Sequence, residues 1–387
     1  MVYYHDKFKP SIFHELSNLV KSHKSDLELI DMGIGDPDIA FDKKIAESFA
    51  KNIVEGTDKF YHYPSTDGHP ILKKSIIDWY ERIFNFKLQD ENVTVFKGIK
   101  EAISYMCLFA NSADDIIMVP DPGYPTYKLA AETCGAGVYE MPLLEENDYL
   151  PNLNDISDEV FDKAKVMFLN YPNNPTGATM SKEQFAPFLE KAVKHDFIIC
   201  LDRAYNDLSL SDDTKKWTVF DMPGADKHAI GMYSMSKPYN ACGMRIGFAT
   251  AGKTVIEKFS NIKNVSDNGV FIPTQLAYAE ALQRPDILEN NIKIYKERCE
   301  IFKECFDKLG IQYLKPKATF YMWVKVPNGK KSREFVMDCF KETAVLFTPG
   351  IGFGKYGDDY FRIALTQPKE KIEEACKRIS MWVGNAH

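Results

Sequence analysis

Between Asp42 and Ala251, short apolar runs alternate with longer amphipathic stretches, and this constrains the fold of the 387-residue chain more than any other feature. The runs Val93–Phe96, Ile116–Val119, Val166–Asn170, Phe197–Asp202, Ala229–Ser234 and Ile246–Thr250 are β-branched or aromatic and are bounded by Gly, Pro, Asn or Asp, which marks them as strands. Helical patterns lie between them, as at Ile99–Ala110 and Lys182–Lys194. This order predicts an α/β fold, a mostly parallel sheet with helices on both faces. Ligands of such sheets bind at the carboxyl ends of the strands.

The last third reads differently. Leu288, Ile292, Tyr295, Cys299, Phe302, Phe306 and Leu309 recur at steps of four and three residues until Gly310 stops the pattern, which predicts one long packed helix instead of a coiled coil. Strand-like Phe320–Val326, a helix over Ser332–Thr343, a turn at Thr348–Gly357, strand-like Tyr360–Leu365 and a helix from Lys369 follow. We expect a large domain over 42–284 and a smaller α/β domain built from 1–41 and 285–387.

Composition narrows the function classes. A net charge of −7 with no basic run argues against nucleic-acid binding. No stretch approaches the roughly 18 apolar residues of a membrane span, and the opening MVYYHDKFKP lacks the core of a signal peptide. A cytoplasmic enzyme is expected. The eight cysteines are scattered without a CxxC pair and the eight histidines form no HExxH or HxH, so buried free thiols and no metal site are expected.

Three of the strands end in polar signatures: Leu169-Asn170-Tyr171-Pro172-Asn173-Asn174-Pro175-Thr176-Gly177, then Cys200-Leu201-Asp202-Arg203-Ala204-Tyr205, then Ser234-Met235-Ser236-Lys237 with Arg245 eight residues on. A lysine beyond a strand means little alone. Amide, carboxylate, phenol, hydroxyl, lysine and arginine on neighbouring strand ends form the set that pyridoxal-phosphate chemistry needs. A lysine amine bonds the cofactor aldehyde, an ionised carboxylate keeps the pyridine nitrogen protonated, and arginine, hydroxyls and a helix start hold the phosphate.

With these residues in view, the chain resembles the fold-type-I pyridoxal-phosphate enzymes of the class I/II aminotransferase family. The matching motifs are Y-x4-G (Tyr63 to Gly68), G-x-x-E-A (Gly98 to Ala102), PGYPTY (Pro122 to Tyr127), YPNNPTG, DRAY, SMSK…R and FRIALT (Phe361 to Thr366), in family order over nearly the whole chain. The resemblance implies Lys237 as the cofactor-bonding catalytic lysine and Asp202 as the partner of the ring nitrogen. It implies Asn174 and Tyr205 at the phenolic oxygen and Tyr124 on the ring face. Ser234, Arg245 and the backbone at Ile99 and Lys100 would hold the phosphate. Tyr63 would reach in from a second subunit of a homodimer with shared active sites. Arg362 would grip the substrate α-carboxylate, and Gly35 would line that end of the pocket. Ser236 is read as local structure.

A second layer of similarity, in IFHEL, YPNNPTGAT, NVSDNGVF, ATFYMWVKVP and TPGIGFGKYGDDYFRIALT, points to the LL-diaminopimelate aminotransferases of lysine biosynthesis. SKPYNACGMRIG and GDDY depart from their usual pattern, beside Lys237 and Arg362 respectively. Alanine, methionine and aromatic aminotransferases and a C–S lyase share most of the motifs. Gly352-Phe353-Gly354-Lys355-Tyr356-Gly357 satisfies GxGxxG, but it follows Thr348-Pro349-Gly350 and opens no crossover helix, so it is read as a glycine turn and not as a dinucleotide site.

Overall fold

The computed structural model describes residues 12–22, 26–211 and 215–384. Residues 1–11, on which the reading of the N-terminus falls, lie outside them. The described residues form twelve strands: β1 (Ile30–Asp31), β2 (Val93–Phe96), β3 (Ile116–Asp121), β4 (Gly137–Pro142), β5 (Ala164–Asn170), β6 (Ile198–Asp202), β7 (Ala229–Ser234), β8 (Gly247–Ala251), β9 (Tyr321–Lys325), β10 (Val345–Leu346), β11 (Thr348–Pro349) and β12 (Tyr360–Ala364). Seven make one sheet in the order β2-β8-β7-β6-β5-β3-β4. Strands β3 to β7 are mutually parallel, and β8 runs antiparallel to both of its neighbours.

The central strands read as unbroken apolar runs because both of their faces are covered. Met118, Met167, Leu169, Ile199 and Leu201 pack into one cluster with Phe161, Phe185 and Phe188, while Ile117, Val119, Val166, Phe168, Ile198 and Cys200 pack into another with Ile103, Met106 and Phe259. Alternate residues of a strand thus serve opposite helical layers. Strand β4 escaped the sequence reading because this edge strand, GVYEMP, is only partly buried and its apolar run is broken by Gly137, Glu140 and Pro142.

The last third supplies most of a further apolar cluster, which Tyr205 and Leu208 also enter. The helix Pro285–Leu309 spans 25 residues and stops at Gly310, whose φ of 67° suits a residue without Cβ. Its Tyr295, Cys299, Phe302 and Phe306 are buried against Met322, Val324, Phe335, Ile363 and Ile372, as a single packed helix requires. Leu16, Ile30 and Met32 join this cluster. β1 pairs with β10, and β9, β12 and β11 form an antiparallel sheet. All eight cysteines are free, six of them buried. Among the described residues no helix is long and apolar enough to cross a membrane, and no His/Cys/Asp/Glu group could hold a metal.

The register fixes where chemistry can occur. Asn170 and Asp202 are paired at the adjacent carboxyl ends of β5 and β6, β7 ends beside them at Ser234, and the chain reaches Lys237 three residues later.

Candidate active site

Asp202, at the end of β6, is buried, 4% exposed. Its Oδ2 accepts from the Tyr127 hydroxyl at 2.7 Å and its Oδ1 from the Ala204 N–H at 3.0 Å. Asn170 Nδ2 donates to the Asp202 carbonyl at 3.0 Å, while Asn170 Oδ1 accepts from the Asn174 N–H at 2.8 Å, so one amide sets both neighbours. Burial raises the Asp202 carboxyl to about 6 despite its two donors. No cation among the described residues pairs with it.

Lys237 Nζ donates to the Gly35 carbonyl at 2.5 Å and lies 3.4 Å from Cys242 Sγ. Beyond it the cavity becomes receptive to an anion. The helix Ile99–Cys107 begins there with no side-chain cap, at Gly98 with φ 85°. A Cβ on Gly98 would lie 2.6 Å from Arg245 Nη2, so glycine lets the guanidinium approach the helix start. Arg245 Nη1 donates to the Cys242 carbonyl at 2.7 Å, and Ser234 Oγ accepts the Ser236 N–H at 3.0 Å. Ser236, read from the sequence as local structure, faces the cavity as well.

At the other end Arg362 is 4% exposed. Nη1 donates to Asn174 Oδ1 at 2.7 Å and Nη2 to the Gly33 carbonyl at 2.6 Å, while Nε has no partner. The guanidinium lies 4.2 Å from the Tyr321 ring centroid and 4.6 Å from that of Phe353. Burial lowers the Arg362 pKa, and no carboxylate pairs with the group among the described residues. Tyr205 and Tyr321 share a hydroxyl contact of 3.2 Å, and a Cβ on Gly35 would collide with the Tyr321 hydroxyl.

These groups line one cavity of about 350 Å³. It gathers Gly35, Ile99, Lys100, Tyr124, Asn174, Asp202, Tyr205, Ser234, Lys237, Arg245 and Arg362. Tyr63 does not line it, and its side chain is 87% exposed. Residues that the sequence reading passed over also line it: Tyr127, Asn170, Cys242, Tyr321 and Phe353. Tyr127 and Asn170 sit inside motifs already noted. Tyr321 and Phe353 arrive from the antiparallel sheet and its turn, within the segments ATFYMWVKVP and GFGKYG, in which the sequence reading assigns no residue a role at the site. The cavity therefore offers a carboxylate and an amine at its centre, an anion-receptive end at Arg245 and a second cation at Arg362.

Residues 28–379 match the family described as aminotransferase class I and II. The chain is 39% identical over 377 residues to the LL-diaminopimelate aminotransferase of Maridesulfovibrio salexigens, covering 96% of each chain. It is 38% identical over 374 residues to that of Aquifex aeolicus, again over 96% of each. Among solved structures it is similar to substrate-bound BacF from Bacillus subtilis, with a TM-score of 0.92, 32% identity and coverage of 99% of this chain and 98% of that one.

The raised pKa of Asp202 gives a prediction for the ligand-free protein. A folded-state value above the unfolded one contributes stability that is complete below about pH 4 and is lost as pH rises through about 6. Asp202→Asn keeps the shape and removes the penalty of the buried charge. Between pH 5 and pH 8 the stability difference should move in the variant's favour by about 1–3 kcal/mol in urea denaturation. An unchanged difference would mean that Asp202 is not desolvated as described.

Proposed function

This chain belongs to the class I and II aminotransferase family and is an aminotransferase, and from that premise we propose that it uses pyridoxal phosphate to move the α-amino group of LL-diaminopimelate to or from a 2-oxo acid. The observation that carries the cofactor is Asp202, a desolvated carboxylate facing a cavity and lacking a cation of its own. A protonated ring nitrogen supplies that cation. The remaining groups fit the same molecule. Lys237 meets the aldehyde, and Tyr124 offers a ring face. Asn174, whose Oδ1 accepts from Arg362, keeps Nδ2 to donate to the phenolic oxygen beside Tyr205. Ser234, Arg245 and the N–H groups at Ile99 and Lys100 suit the phosphate.

When bound, the cofactor supplies an aldehyde that exchanges amines and a protonated ring that draws electrons from the substrate Cα. Asp202 keeps that ring protonated by offering a full negative charge where water is excluded. Tyr127 and Ala204 hold the carboxylate in place. Lys237 would hold the cofactor through its aldehyde, and its Nζ, when free, would take and return a proton at the substrate Cα. Arg362 binds the α-carboxylate of donor and acceptor in turn, which gives ping-pong kinetics. Substrate identity rests on the diaminopimelate-specific relatives, and a cytoplasmic role in lysine biosynthesis accompanies it.

We also read the chain as two domains, 42–284 and 1–41 with 285–387, and the enzyme as a homodimer. Supporting the dimer, Tyr63 is exposed, and the exposed rings of Tyr61 and Phe271 pack edge-on at 5.7 Å.

A donor-by-acceptor screen tests the substrate. LL-diaminopimelate should exceed alanine, methionine and aromatic donors in kcat/KM by about ten-fold or more. Acceptor-independent release of pyruvate and ammonia from a β-substituted amino acid would mark a lyase instead. For the dimer, inactive Lys237→Ala subunits mixed with impaired Tyr63→Phe subunits should recover part of the activity, since one site of the heterodimer keeps Lys237 and Arg245 of one chain together with the other chain's Tyr63. No recovery in verified heterodimers counts against shared sites.

A further inference from the structure

The GxGxxG turn of residues 352–357 is not used by the chemistry above, yet it borders the cavity through Phe353. Consecutive N–H groups in such a turn form a concavity that accepts an anion. Here a resident carboxylate fills it. Asp121, buried at the end of β3, accepts the Lys355 N–H on Oδ2 at 3.2 Å and the Tyr356 N–H on Oδ1 at 3.1 Å. Gly354 has φ 139°, and a Cβ there would collide with the Asp121 carboxylate, so glycine is what permits the approach. A second tie is the Gly123 N–H, which donates to the Phe353 carbonyl at 2.8 Å. Behind the turn, Ser332 Oγ accepts the Ile351 N–H at 3.2 Å and donates to Asp358 at 2.8 Å.

The clamp therefore joins the parallel sheet to the segment that carries Phe353, and Phe353 forms one of the two aromatic walls of Arg362. We infer that Asp121 is a positioning residue for the reaction, filling the turn with its own carboxylate and so seating Phe353 against the Arg362 guanidinium that receives the substrate α-carboxylate. The same occupancy closes the turn to a nucleotide phosphate. Burial, and then a hydrogen bond that the protonated Asp121 carboxyl donates to Glu140 on β4, raise Asp121 to about 7. Lys128, which donates to Glu140 at 2.5 Å, and Lys355 are the other charged groups nearby. At pH 8 both Asp121 oxygens accept.

The inference rests on the reading of Arg362 given above, and the test separates the two. Holoenzyme kinetics at pH 8 compare wild type with Asp121→Ala, Asp121→Asn, Gly354→Ala and Arg362→Lys over a panel of L-amino-acid donors. Asp121→Ala should lower kcat/KM by about ten- to hundred-fold, the cost of a misplaced binding group. The loss should appear mainly in KM and equally for every donor, because all present an α-carboxylate. Cofactor affinity should stay at the wild-type value. Asp121→Asn, which keeps one acceptor, should fall between wild type and Asp121→Ala, and Gly354→Ala should reproduce the loss from the other side of the clamp. If Asp121→Ala does not fold, the Asp121→Asn and Gly354→Ala variants carry the test. Unchanged kcat/KM in these variants while Arg362→Lys is impaired would overturn the clamp alone, as would a loss that follows cofactor release or is confined to one donor. If Arg362→Lys costs nothing, the reading of Arg362 falls and the clamp with it.

Discussion

Burying a charge without a partner is costly, and this chain does so twice within one cavity. Asp202 and Arg362 are each 4% exposed, and neither is in ion-pair contact with an opposite charge among the described residues, Asp31 acting on Arg362 only through space. They do not neutralise each other. Asp202 is held by a phenol and a backbone N–H, Arg362 by an amide oxygen, a carbonyl and two aromatic faces. Neutral contacts of this kind orient a charge while leaving its field available to a ligand. The architecture around the cavity serves to keep these two charges apart.

The parallel sheet supplies the first. Because β5 and β6 are in register, Asn170 and Asp202 end side by side, and one amide fixes both the carboxylate's main chain and the Asn174 turn. The antiparallel sheet supplies the second, bringing Arg362 on β12 over the carboxyl edge of the first sheet. Lys237 lies between, tethered to Gly35. The geometry of the cavity thus depends on how the two sheets meet, and the contacts of Asp121 with the turn that carries Phe353 lie at that junction.

Much of this was legible in the sequence, for identifiable reasons. Strands buried on both faces leave continuous apolar runs, so the interior of the sheet could be read, whereas the half-buried edge strand β4 could not. Asp202 ends β6 and Lys237 lies three residues past the end of β7, with Arg245 eight residues further on just before β8, so their gathering was foreseeable. The residues that tune them were not. Tyr127 donates to Asp202 from a helix, and Tyr321 and Phe353 flank Arg362 from another sheet, contacts made in three dimensions that leave no local pattern. Tyr63 stands apart, since it is exposed and does not line the cavity of its own chain, and the role proposed for it rests on a second copy.

The central claim is that Lys237 holds a pyridoxal cofactor opposite Asp202. Borohydride reduction of the purified, coloured protein, followed by peptide mapping, tests it most directly. The account predicts one stable adduct, on the peptide containing Lys237, and none in Lys237→Ala. An adduct on a different lysine, or no adduct in protein shown to contain the cofactor, would contradict it.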